Sequence, residues 1–219
     1  MSDVDTSDYV AIHTSIRSGA YALAEAAATL RAEDHDRMGA FARYWHGYVG
    51  EVLTHHGIED DIFFPALRAR CAEAADVLDQ LDQEHHVLDD LMDRSADAIA
   101  AIDDGGSPAE AAEVLRRFAD VMDDHLDLED RAIVPRFVEL FSGDEYEAMT
   151  KAAIKATGIG RQALFTVPFV AYWVTDEQRD MLLGMAPLPF RIMYRLTRTR
   201  HARLAALALG SASRVPALV

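Results

Sequence analysis

The side chains best suited to chemistry in this sequence fall in a duplicated pattern. His55-His56-Gly57-Ile58-Glu59-Asp60, with Pro65 six residues after the glutamate, returns as His125-Leu126-Asp127-Leu128-Glu129-Asp130 with Pro135 at the same offset. Ahead of each copy stands one more histidine: His13, followed three residues on by Ile16, and His85, followed three residues on by Leu88. Residues four apart on a helix share one face about a turn apart, so His55 with Glu59, and His125 with Glu129, each form a clamp that could hold a cation. If the two halves pack about a pseudo-twofold axis, both clamps and the two lone histidines converge in the core, where helical bundles build their cofactor sites. Imidazole suits iron, zinc or copper, and a carboxylate can bridge two metals while cancelling their charge. A mixed His/Glu set therefore favours iron over calcium or magnesium.

A lone buried histidine is more often a hydrogen-bonded core residue than a ligand, and an i,i+4 His/Glu pair more often lies on a surface. Repetition argues the other way, because two copies would bury several polar groups to no purpose unless a charge compensated them. His35 and His46 read as plain: the first falls in a loop, the second nearly opposite His55 on its helix. His56 and His86 project about 100° from their neighbours, which suggests supporting or surface positions. Asp60 and Asp130 could orient a ligand imidazole through its other nitrogen. Tyr9 and Tyr48 fall one and two turns before His13 and His55, near the site or simply in the core.

The elements that must position these residues are helices. Alanine, leucine, glutamate, aspartate and arginine dominate while glycine and proline are scarce, which favours helix over strand. The apolar stripe Tyr9, Ile12, His13, Ile16, Ala20, Leu23 predicts a first helix from about Ser7 to Leu30, and the stripe through Phe41, Trp45, Tyr48, Val52 and His55 a second from Met38 to Arg68. A third is predicted over Ala72 to Ile102. Asp103-Asp104-Gly105-Gly106 ends it, and Ser107, Pro108 and Glu110 predict a capped fourth helix reaching Phe141. Short loops join antiparallel neighbours, so the fold expected is all-α, an up-down-up-down four-helix bundle over residues 1–141. Residues 142–219 are expected to form a helical extension packed on it: a capping box at Ser142 and Glu145, a break at Pro168, an N-cap at Thr175, and a basic final helix from Phe190 to Leu209.

On these residues the chain resembles the hemerythrin and HHE cation-binding family, whose pattern is a helix with His, a helix with H-x-x-x-E, and the same again. The resemblance covers about Tyr9 to Phe141. It implies a non-haem di-iron centre, oxo- or hydroxo- and carboxylate-bridged, with His13, His55, Glu59, His85, His125 and Glu129 as ligands. It also implies a small-molecule ligand: hydrogen peroxide, nitric oxide or dioxygen, in detoxification or redox response. A non-catalytic oxygen or nitric oxide binder or sensor, or an iron store, is the alternative. Oxygen-carrying members place two histidines a turn apart on the third helix, whereas here Asp89 follows His85 and Leu81 precedes it. Four histidines, two bridging glutamates and one bridge leave about two of roughly twelve octahedral positions open, one more than five histidines would. On that count, turnover of peroxide is expected rather than reversible oxygen carriage.

The charge of −16 is unevenly divided. Residues 151–219 carry ten Lys and Arg against three Asp and Glu, or +7, leaving 11 against 34, or −23, for residues 1–150. So acidic a bundle would repel phosphate backbones, and nucleic acid is not expected as a partner. The arginines of the final helix are expected to lie against the acidic bundle, with a homodimer or protein partner through the extension as a further expectation. The single Cys71 allows no internal disulfide, and the acidic start lacks the basic and then apolar pattern of a signal peptide; both fit a cytoplasmic protein. The longest apolar stretch, Ala163 to Val174, falls short of a membrane span.

Overall fold

The computed structural model describes residues 3–214, which form helices and connecting turns with no strand. α1 spans Ser7–Ala27 and α2 His35–Ile58; α2 runs through a wide π turn, Glu59–Phe63, into the short α3, Phe64–Arg68. α4 covers Ala75–Asp103, α5 Pro108–Ala132 and α6 Val134–Leu140. α7 (Gly143–Thr157), α8 (Ala163–Trp173), α9 (Asp176–Met185) and α10 (Leu188–Leu209) follow.

The two prolines of the repeat explain why the second and fourth long helices are interrupted earlier than periodicity predicts. Proline lacks the N–H that bonds four residues back, and its ring crowds that carbonyl. Before Pro65 the helix widens, and the Phe64 amide donates to the Glu59 carbonyl, five residues back. Before Pro135 the helix breaks at Ile133, whose amide still donates to Glu129 O at 2.8 Å. Pro168, by contrast, does not break α8, which runs through it. The capping boxes at Ser142/Glu145 and Thr175/Gln178 both form. That expected at Ser107 does not: its side chain makes no cap bond, and Pro108 alone opens α5.

α5 lies along both α1 and α4, while α2 packs chiefly against α10 and also against α8. The C-terminal helices thus continue the main core. Phe169 and Trp173 of α8 join Phe41, Tyr44, Tyr48 and Phe118 there, and Trp173 Nε1–H donates to Tyr44 Oη at 2.9 Å. A smaller apolar cluster, with Tyr9, Phe63, Phe64, Leu81, Ile133 and Phe137, occupies the other end. On each long helix one repeat histidine lies between the clusters: His13 between Tyr9 and Ile16, His55 between Val52 and Phe63, His85 between Leu81 and Leu88, His125 between Met122 and Ile133. The result is one polar layer across an apolar core. α10 covers α2 through Ala205, Ala208, Leu209 and buried His201, while Arg191, Arg195, Arg198, Arg200 and Arg203 face solvent and make no ion pair among the described residues. Its contact with the bundle is apolar, correcting the expectation of a charge-driven one. None of the helices is long and apolar enough to cross a membrane.

Candidate metal centre

The six residues of the repeat meet in the polar layer. His13, Glu59 and Glu129 are fully buried, and His55, His85 and His125 nearly so. Their donor atoms form two groups that share both glutamates: His13 and His55 with Glu59 and Glu129, and His85 and His125 with the same pair. His13 Nε2 stands 3.3 Å from Glu129 Oε2, and His55 Nε2 3.2 Å from Glu59 Oε1. His125 Nε2 is 3.6 Å from Glu129 Oε1, and His85 Nε2 3.8 Å from Glu59 Oε2.

Two histidines are aimed by a carboxylate on their outer nitrogen. His13 Nδ1 lies 2.8 Å from Asp130 and His125 Nδ1 3.0 Å from Glu84; His85 Nδ1 is 3.3 Å from Asp60 without a hydrogen bond to it. Such partners fix the tautomer that leaves Nε2 free as a donor to metal. Asp130 is itself held by Arg17. Asp130 thus stands where an orienting role requires, whereas Asp60 lies near His85 without bonding to it. Glu84 was not singled out from the sequence, although it sits one residue before His85 and reaches across to α5.

Electrostatics of the cluster call for a cation. Burial pushes the Glu59 carboxyl up, but neighbouring His55 and His13 outweigh this and hold it below the usual range. Burial, reinforced by the charge on Glu59, pushes Glu129 well above its ordinary value. Burial drives the His55 imidazole down to about 3. Among the described residues, twelve buried side-chain nitrogens and oxygens lack a hydrogen-bond partner, and ten belong to these six residues and His56. Buried polar groups are normally paired, so this concentration is what a metal site looks like before its ion is counted. Imidazole nitrogens and carboxylates fit iron.

Other sequence-derived candidates separate cleanly. Tyr9 is at the site, its ring 4.6 Å from His13 and its hydroxyl donating to Glu59 Oε1 at 2.5 Å. Tyr48 is not: it packs against Trp45, Phe118 and Phe169 and donates to Ile16 O. His35, His46, His86 and Asp89 are exposed. Of the two positions expected for His56, the surface one is excluded. His56 is 4 % exposed, with its ring stacked 4.0 Å from His85. Adjacent residues flank the inward line of α2, so His55 faces His13 of α1 while His56 faces His85 of α4.

An apolar chamber of about 200 Å³ opens beside the His13/His55 side, walled by Ile12, Ile58, Phe63, Val170, Leu183 and Phe190 and reaching Tyr9, His55 and Glu59. Glu51 lies on its wall, accepting a 2.5 Å bond from Thr166 Oγ1, with burial pushing its carboxyl up to about 7.

Comparison with known proteins agrees with this geometry. No curated protein and no solved structure matches the chain. The model of the hemerythrin HHE cation-binding domain matches residues 5–137, which hold all four repeat histidines and both glutamates. The chain belongs to the hemerythrin HHE cation-binding family.

Proposed function

We propose that this chain holds two iron ions in the shared His/Glu cluster and presents them to a small apolar diatomic, nitric oxide or dioxygen. The observation that carries the metal reading is the pair of donor groups sharing Glu59 and Glu129, with their inward atoms, Glu59 Oε1 apart, unpartnered. Iron in such a set supplies redox and Lewis-acid chemistry. The residues do the rest: Glu59 and Glu129 supply charge to balance the ions, the outer carboxylates hold the imidazoles, and the surrounding apolar clusters exclude water.

The apolar chamber supports the choice of ligand. Nitric oxide and dioxygen enter apolar space at little cost, whereas hydrogen peroxide must give up hydrogen bonds that the mainly apolar lining replaces only in places, among them Glu51, a few threonines and the inner end. At the inner end, the Tyr9 hydroxyl donates to Glu59 and so fixes that carboxylate beside the His13/His55 pair. Anaerobically reduced, iron-loaded protein exposed to nitric oxide, dioxygen or peroxide tests this, with the optical spectrum followed in each case. Spectral change with the diatomics and no oxygen evolution from peroxide above free iron is expected. Rapid oxygen evolution, lost in His125→Ala, would instead support peroxide turnover.

A further inference from the structure

His56 is the one histidine outside the repeat set that lies inside the cluster. Its ring is stacked 4.0 Å from that of His85 at 13° and lies 5.5 Å from that of His125, so its side chain must turn for both in-plane lone pairs to meet one ion. Donor atoms of His56, His85 and His125 all lie within 4.8 Å of one another. Both ring nitrogens of His56 are buried without a hydrogen-bond partner, whereas a purely structural core histidine keeps at least one bond. The acids on this side, Asp60, Asp82 and Asp89, line the outer surface pocket with His56, His85 and His86, and none bonds to His56.

We propose that His56 is a third histidine donor to the ion held by His85 and His125, so that the two metal positions are unequal. The inference rests on the two-metal reading above. One ion would have His56, His85 and His125, the other His13 and His55, with Glu59 and Glu129 shared. The fifth histidine that the third helix lacks is then supplied by the second helix, beside the histidine of H-x-x-x-E. The revised count takes away one of the two positions left to an outside ligand, and with it the premise of peroxide turnover. The ion with fewer protein donors is the one beside Tyr9 and the apolar chamber, so the chamber leads to the side able to accept a ligand.

The test compares His56→Leu, which keeps apolar bulk against His85, with His56→Glu, which keeps a donor. Metal-free full-length protein is titrated with iron(II) under anaerobic conditions, with binding followed by calorimetry. Wild type should take up two ions. His56→Leu should bind one of them at least tenfold more weakly, since even loss of an outer partner costs about 10–100-fold. His56→Glu should keep both. Unchanged two-ion binding in the Leu variant would overturn the proposal and leave the two-metal reading standing. Equal loss in both variants, with both apo-proteins melting lower than wild type, would make His56 a packing residue and overturn it too. Fewer than two ions in the wild type would bring down the two-metal reading itself.

Discussion

At the scale of the residue, the site depends as much on what lies behind each imidazole as on the imidazole itself. Asp130→Asn should keep the shape behind His13 but lose the charge that holds its Nδ1 proton, weakening metal binding about 10–100-fold by equilibrium titration. Glu51 gives a prediction of its own. Its folded pKa of about 7 lies above its ordinary 4.5, so between these values the native state binds more protons than the unfolded chain. Stability contributed by this group therefore falls as pH rises from about 4.5 through about 7, by on the order of 3 kcal/mol. Glu51→Gln should raise the melting temperature of metal-free protein at pH 8 and change it little near pH 4.5; a lower melting temperature at pH 8 would rule out a buried carboxylate under strain. The six repeat residues were legible because spacing of four and duplication both point to one face. His56 was not, because a helical wheel assumes one inward line. α2 is flanked by α1 and α4, and neighbouring residues 100° apart can each face one of them.

At the scale of the element, close approach decides which helices touch. An added methyl at Gly47 would overlap the Phe165 ring, and one at Gly19 would overlap Phe169, so these glycines let α8 lie against α2 and α1. Gly47→Ala gains about 1 kcal/mol of helix propensity but must displace a rigid ring, which costs about 1–3 kcal/mol. A net loss of stability is expected, readable as a lower denaturant midpoint, whereas Gly57→Ala, which meets nothing, should stabilise. Helix identities and order were readable from period and caps. The partner of α2 was not: Gly47 and Gly50 in a helix interior were a signal of close packing, but nothing local says that the helix arriving there is 115 residues further on. Nor does periodicity show the π turn at Glu59–Phe63, which follows from fitting Pro65 into a continuing helix.

At the scale of the whole molecule, an acidic bundle and a basic C-terminal third share one core, joined by apolar contact rather than by the charges that distinguish them in sequence. The arginine run suggested electrostatic docking because it is conspicuous, yet the residues of α10 that are buried are His201 within it and Ala205, Ala208 and Leu209 after it. Folding and metal binding should be coupled. Ions bound at a hundred times their dissociation constant add about 2.7 kcal/mol each, so chelation should lower the melting temperature by roughly 5–10 °C for one ion and more for two. Unchanged melting after chelation would argue against a cluster that needs its cation. The central claim is the metal count, and native mass spectrometry of protein produced with ample iron measures it on the intact chain. The account predicts a mass increment of two irons, reduced in His55→Ala and in His125→Ala. A metal-free mass, a stoichiometric zinc adduct, or two irons retained in both variants would contradict it.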